Sequence, residues 1–278
     1  MMSRPFLKWA GGKTRLLNQY EHLFPTAFLA YHEPFLGGGA VFFNLKSANL
    51  IKTAHLGDRN NELVNCYRAV RDALPDVLLE LSKHQQNHSK EYFYHVRSLD
   101  PINLDPIVQA GRTIYLNKTC FNGLFRLNKR GQFNVPLGRY RRPAILDINT
   151  LTSASTALKG TNIVADHYVS IIDRTQFKDF VYMDPPYYPT SKTANFTSYT
   201  TSAFTELDQR ELATTVQNLT NLGVFVMLSN SDTQLIRQLY KDFYQHQVQT
   251  GRSINSNSSK RGNVSELVIT NYKTGPNN

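Results

Sequence analysis

The run Val181-Tyr182-Met183-Asp184-Pro185-Pro186-Tyr187-Tyr188 joins an apolar strand signal to a polar, aromatic stop. Proline has no N–H for a strand ladder and restricts the residue before it, so the strand must end at Asp184. An acceptor carboxylate and an aromatic face are left at its tip. In an open parallel sheet, ligands bind beyond the carboxyl ends of the strands, which makes this tip a place for chemistry; a plain loop is the other reading. Near the N-terminus, Phe6-Leu7-Lys8-Trp9-Ala10-Gly11-Gly12-Lys13 brings together the only Trp, a Gly-Gly pair and a lysine. The glycines let the backbone approach a ligand closely. Trp9 offers either a stacking surface or a core side chain, and Lys13 a charge able to hold a carboxylate. A nucleotide phosphate loop is excluded, because the glycine it needs five positions before Gly12 is Leu7.

A second cluster begins at Tyr31-His32-Glu33-Pro34-Phe35-Leu36-Gly37-Gly38-Gly39, which has the form of a short strand, a glycine turn and the start of an apolar helix. The dinucleotide fingerprint would place a third glycine where Phe42 stands, so the turn fits a cofactor without a pyrophosphate better. Asp58 follows about 20 residues later at the end of a second strand signal, where an acid commonly grips ribose hydroxyls. Asp166, ending Asn162-Ile163-Val164-Ala165, is placed either to accept from an adenine amine or to cap a helix.

The third cluster is basic. Between Pro106 and Leu146 stand Arg112, Lys118, Arg126, Lys129, Arg130, Arg139, Arg141 and Arg142, with no Asp or Glu among them. A solvated face usually mixes signs, so this segment points to phosphate contact. Within it, Leu124–Leu127 and Gln132–Val135 flank Asn128-Lys129-Arg130-Gly131 as a β-hairpin, with the glycine able to take positive φ. Arg126 has the fork to read guanine O6 and N7 and Asn122 the amide to read adenine, while Lys129 and Arg130 suit phosphates.

These clusters need a scaffold. Strand and helix signals alternate over residues 1–60 and again over 147–273, predicting a discontinuous Rossmann-like α/β domain. Residues 61–146 read as an inserted, mostly helical domain that carries the hairpin. Helices are expected over Thr14–Phe24, Phe204–Leu222 and Thr233–Phe243, strands over Val224–Asn230 and Glu266–Asn271. Thr190–Ser202 reads as a lid or strand-clasping loop, Gly251–Asn263 as a Ser/Asn-rich loop and 274–278 as a disordered tail. The 278 residues, 41% hydrophobic, suffice for a full core, and the net charge of +10 suggests a polyanionic partner. The apolar runs fall far short of the roughly 20 residues of a membrane span, and no secretory h-region is seen, so an intracellular protein is expected. Cys66 and Cys120 show neither metal-ligand nor disulfide spacing.

Asp-Pro-Pro-Tyr resembles the catalytic motif of methyltransferases that act on amino groups. With Phe6–Lys13, Glu33–Gly39, Phe121-Asn122-Gly123-Leu124, Gln132–Pro136, Thr193-Ala194-Asn195-Phe196-Thr197 and Arg252-Ser253-Ile254, the chain resembles the Dam family of DNA adenine-N6 methyltransferases, in the motif order of its alpha group. The resemblance implies S-adenosylmethionine as cofactor, bound by Trp9, Lys13, Asp58 and Asp184 beside the turn that contains Glu33, Phe35, Gly37 and Gly39. It implies double-stranded DNA as partner, with Lys8 at the first guanine of GATC and Phe121, Asn122, Leu124, Arg126, Pro136 and Tyr140 at recognition positions. Asp184, Pro185 and Tyr187 are the implied catalytic residues: acceptors for the adenine amine, and a ring to stack on a flipped base. Phe121 departs from the tyrosine frequent in the family, which leaves insertion or stacking without a phenolic contact. A bacterial or phage protein of the cytoplasm is implied, with no metal, no membrane and no required oligomer. The alternatives are a cytosine-N4 or RNA-adenine methyltransferase, or a catalytically silent DNA-binding protein. Asp184 favours adenine, since cytosine-N4 enzymes commonly carry serine there.

Overall fold

The computed structural model describes residues 3–190, 204–251 and 263–275. The Thr193–Thr197 and Arg252–Ile254 motifs and the expected lid lie outside them, apart from the lid's first residue; so do most of the Ser/Asn-rich loop and the last residues of the tail. In chain order the elements are α1 (Leu17–Tyr20), β1 (Ala30–Glu33), α2 (Ala40–Ser47), β2 (Thr53–Asp58), α3 (Asn61–Asp72), α4 (Leu74–Gln86), α5 (Lys90–Ser98), α6 (Pro106–Thr119) and α7 (Ile148–Leu158). There follow β3 (Asn162–Ala165), β4 (Phe180–Met183), α8 (Glu206–Asn221), β5 (Phe225–Ser231), α9 (Gln234–Leu239), β6 (Tyr244–Gly251) and β7 (Asn263–Thr270). The strands form a seven-stranded sheet in the order β3-β2-β1-β4-β5-β7-β6. The β2–β3, β1–β4 and β4–β5 pairs are parallel, and β7 runs antiparallel to both β5 and β6. This is the mixed α/β sheet expected of a Rossmann-like methyltransferase, and the strand order reverses between β1 and β4.

Two compact units divide the chain. One comprises the N-terminal stretch to Gly12 together with Leu36–His167, and the whole 61–146 segment falls inside it. Asn60 caps α3 by accepting from Leu63 N–H, and Leu63, Val64, Tyr67 and Val70 form its buried stripe. Asp105 caps α6, with Pro106 in the first turn where its missing N–H is harmless. Arg112 of α6 is 2% exposed, bonded to Glu62 of α3 at 3.2 Å and to the Val96 and Arg97 carbonyls. That removes it from the phosphate-contact set: its guanidinium holds helices together inside the unit. Cys66 and Cys120 are free and buried.

The other unit comprises Lys13–Phe35 and the described residues from Tyr168 onward. All four residues of β4 are buried, as a strand flanked on both sides must be, and Val181 and Met183 join Leu212, Val216, Val226, Leu228, Leu267 and Ile269 in one core. A capping box starts α8: Thr205 accepts from Asp208 N–H while the Asp208 carboxylate accepts from Thr205 N–H. At the lower end of the sheet, Asp179 accepts from Ala30 N–H at 3.0 Å and lies 2.9 Å from His32 Nε2, fixing the start of β4 beside β1.

Four expectations change, the first being that the helix expected over Thr233–Phe243 is confined to Gln234–Leu239. Thr14–Phe24 is not one helix but a 3-10 turn, the four-residue α1 and a second 3-10 turn: Leu16, Leu17, Tyr20 and Leu23 stand at helical spacing, but no side chain caps α1. The polar, glutamine-rich sequence of β6 carries no strand signal, yet it forms an edge strand that pairs with β7 along its whole length. The last strand begins at Asn263 rather than Glu266 and ends at Thr270.

Candidate active site

Asp184 stands immediately beyond β4, next to the point where the strand order reverses. One carboxylate oxygen lies 2.8 Å from Lys13 Nζ; the other accepts from Ser229 Oγ at 2.8 Å. Lys13 is 5% exposed and the Asp184 side chain 20%, so a positive charge is buried against a carboxylate that keeps an outward face. The carboxylate that Lys13 holds in this structure is Asp184 itself. Ser229 is the buried continuation of the apolar run of β5 and is 3.1 Å from the Tyr182 hydroxyl, which completes its hydrogen bonding.

Lys13 also lies over the ring of Tyr187, with Nζ 4.8 Å from the ring centre, and the Tyr187 hydroxyl donates to Glu266 at 2.7 Å. Burial, then the charges of Asp184, Tyr20 and Glu266, raise the Tyr187 phenol well above its ordinary range, so it remains a donor. Burial also lifts the Glu266 carboxyl, against the pull of Lys13 and the Tyr187 hydroxyl and with a further push from Asp184. Between these side chains the backbone is fixed by amides: Gln209 donates to the Pro186 carbonyl at 3.0 Å, Asn230 donates to Gln209 at 2.9 Å, and Asn230 accepts from Tyr188 N–H at 3.2 Å. Gln209 and Asn230 are fully buried. A segment with two prolines cannot satisfy itself through a ladder, and these side chains do it instead. Ser229, Asn230, Gln209 and Glu266 were missed in the sequence. The available signal was the polar Ser229-Asn230 end of an apolar strand; nothing marked Gln209 or Glu266.

Of the other cofactor candidates, Glu33 is buried and accepts from the Tyr31 hydroxyl at 2.8 Å, while Phe35 stacks on Tyr168 with ring centres 5.1 Å apart. In the unit that contains β2, Asp58 ends that strand and accepts from Gly37 N–H at 3.0 Å and Asn60 N–H at 2.9 Å, one on each oxygen. Burial pushes its carboxyl up, and these amides with that of Arg59 pull it back. Gly37 has φ 48°, and a Cβ there would lie 2.8 Å from Trp9 Cδ1, so the turn must be glycine where the indole covers it. Trp9 also stacks on Phe125 at 5.5 Å, which places it in packing. Asp166 accepts from His167 N–H at 2.7 Å, and its own N–H reaches the Asp58 carbonyl at 3.2 Å.

The recognition candidates sit together in that same unit. Asn117 ties the Lys8 backbone in both directions and also donates to the Gly123 carbonyl. The Lys8 ammonium stands 4.7 Å from the Tyr140 ring centre. Phe121 is 47% and Tyr140 37% exposed. Asn122 takes φ 56°, and Phe121 N–H donates to the Pro136 carbonyl at 2.8 Å. Leu124 is half-buried and Pro136 exposed. The hairpin closes through Leu127↔Phe133 and Asn128 N–H to the Gln132 carbonyl, with Gly131 at φ 75°, though as single bridges rather than two full strands. Arg126 donates to the Asn134 side chain at 2.7 Å, and Lys129 and Arg130 are exposed at the tip.

Residues 9–254 match the family described as D12 class N6 adenine-specific DNA methyltransferase. The Type II methyltransferase M1.LlaDCHI of Lactococcus lactis subsp. cremoris is 42% identical over 276 residues, 97% of this chain and 95% of that protein. The Type II methyltransferase M.MjaIII of Methanocaldococcus jannaschii is 38% identical over 98% of this chain and its own full length. The DNA adenine methylase of Escherichia coli K12 is 37% identical, over 98% of this chain and 96% of its own. The matched span takes in the glycine turn, the basic hairpin and the Asp-Pro-Pro-Tyr tip: the chain belongs to the D12 class of N6 adenine-specific DNA methyltransferases and is an enzyme of that kind.

Proposed function

We propose that this enzyme transfers a methyl group from S-adenosylmethionine to N6 of an adenine extruded from duplex DNA, within GATC. The observation that carries the reading is the Asp184 carboxylate, gripped by Lys13 and Ser229 at a strand tip beside the Tyr187 ring. Adenine's amine is a poor nucleophile because its lone pair is delocalised into the ring. Asp184 and the Pro185 carbonyl accept its two N–H bonds, drawing the nitrogen toward sp³ geometry and turning the lone pair outward. Asp184 is already oriented, so little reorganisation accompanies the reaction. Tyr187 stacks on the extruded base, offsetting part of the few kcal/mol, roughly, that unstacking costs.

S-adenosylmethionine, when bound, supplies a methyl on a positively charged sulfonium. The chain's residues fit such a group. Asp58 retains acceptor capacity on both oxygens, which suits a ribose diol, and the glycine turn at Gly37 and Gly39 offers backbone without side chains. Trp9, Lys13, Glu33, Phe35 and Asp166 complete the proposed cofactor set. Residues 61–146 act as the target-recognition domain: Lys8 and Arg126 read guanine, Phe121, Asn122, Leu124, Pro136 and Tyr140 contact the opened duplex, and Lys129 and Arg130 meet phosphates.

Mapping methylated positions in DNA from a methylation-free host that expresses the protein tests this reading. N6-methyladenine confined to GATC, and absent with Asp184→Ala, is expected; methylcytosine, or methyladenine spread over all contexts, refutes it.

A further inference from the structure

We propose that Glu266 is a positioning residue for methyl transfer, its hydrogen bond with Tyr187 setting the direction in which the stacking ring points. This rests on the reading that Tyr187 stacks on the target adenine. Three restraints meet on Tyr187. Its backbone is held because the next residue's N–H donates to Asn230 and the preceding carbonyl accepts from Gln209. One face of its ring is covered by the Lys13 ammonium, which limits its plane. Its hydroxyl is tethered 2.7 Å from Glu266 on β7. A hydroxyl lies on the axis about which a phenol ring spins, so this tether leaves the spin to Lys13 and fixes where the ring axis points.

The arrangement couples two parts of the reaction through one cation. Lys13 grips Asp184, which receives the amine, and covers the ring that Glu266 orients. Glu266 reaches this cluster from an antiparallel strand two places beyond β4 in the sheet, and β7 pairs residue for residue with β5, where Ser231 faces Glu266 and Ser229 holds Asp184. The acceptor and the ring are therefore set by neighbouring strands of one rigid ladder. A charge-assisted bond of this kind, felt in the transition state, is expected to change the transfer rate by roughly 10- to 150-fold.

The test uses the full chain with Glu266→Gln, which keeps an oxygen acceptor, Glu266→Leu, which does not, Tyr187→Phe, which removes the donor, and the Leu/Phe double variant. Single-turnover methylation is measured at saturating duplex and S-adenosylmethionine. Cofactor affinity is measured separately by calorimetry, flipping by 2-aminopurine at the target position, and folding by thermal melts. Glu266→Leu and Tyr187→Phe should each slow transfer about ten-fold with unchanged cofactor affinity; the double variant should be no slower than either, and Glu266→Gln should recover most of the rate. A Glu266→Leu enzyme that melts as wild type and transfers at the wild-type rate overturns the proposal, as does a double variant whose losses multiply. If Glu266→Leu melts early, Tyr187→Phe decides: a wild-type rate overturns the proposal, and a ten-fold loss with cofactor affinity intact supports it. Failure of the underlying reading is distinct: the wild-type enzyme would then give no 2-aminopurine signal at all.

Discussion

The sign of each charge around Asp184 matters more than the number of contacts it makes. Lys13 is almost wholly buried, and its ammonium lies against a carboxylate that keeps a fifth of its side chain exposed. Lys13→Met should lower stability by somewhat less than the roughly 3–5 kcal/mol lost on breaking a fully buried pair, read as a shift in the urea midpoint. Methyl incorporation should fall about 10²–10³-fold, since a preorganised electrostatic partner is lost. Glu266 makes a different prediction. Its folded carboxyl titrates above the unfolded one because burial disfavours the anion. The folded state therefore binds more protons in that window, and stability falls as pH rises from the unfolded value through the folded one. Glu266→Gln has no such titration, so its melting temperature should gain on wild type between pH 4 and pH 7; a constant gap would exclude the effect.

At the scale of elements, α8 presents Gln209 to the Pro186 carbonyl, and its start is fixed by the Thr205 capping box. Thr205→Ala should cost about 0.5–2 kcal/mol, visible in a thermal melt, with Asp208→Ala giving a loss that does not add to it because one box contains both. The hairpin is a separate element with a separate task. It is closed by its own backbone and by Asn128, whose side chain accepts from Arg130 N–H and Gln132 N–H. Replacing both Lys129 and Arg130 by alanine should leave that turn intact and weaken duplex binding equally for cognate and non-cognate sequences. The slope of log K against log salt should drop by nearly 2, at about 0.9 per phosphate contact.

At the scale of the whole molecule, the distribution of charge sets the expected salt dependence of DNA binding. The net charge is +10, yet Arg112 is spent inside a helical layer, so the total overstates what faces a polyanion. Lys129, Arg130, Arg139, Arg141 and Arg142 are exposed. If each meets one phosphate, the wild-type salt slope should be about −4 to −5. A slope near zero in a titration from low to high salt would show that these charges do not engage the backbone. Among the described residues no helix is long and apolar enough to cross a membrane.

The sequence alone determined the end of a strand at Asp184, the glycine turn with Asp58 behind it, the helical character of much of 61–146 and most parallel strands, because these depend on local rules. A Pro-Pro ends a strand, glycine permits positive φ, and a four-residue apolar run becomes a buried strand. Tertiary structure decided what those rules do not contain. Lys13 and Asp184 are distant in sequence, and only the fold makes the lysine's carboxylate partner Asp184 itself. Glu266 and Gln209 look like ordinary polar residues until β7 and α8 bring them to Tyr187 and the Pro186 carbonyl. Arg112 reads as one more basic residue until burial beside Glu62 makes it structural. A charged or amide side chain carries no local signature of its partner; that partner is chosen by whichever strand or helix packs against it.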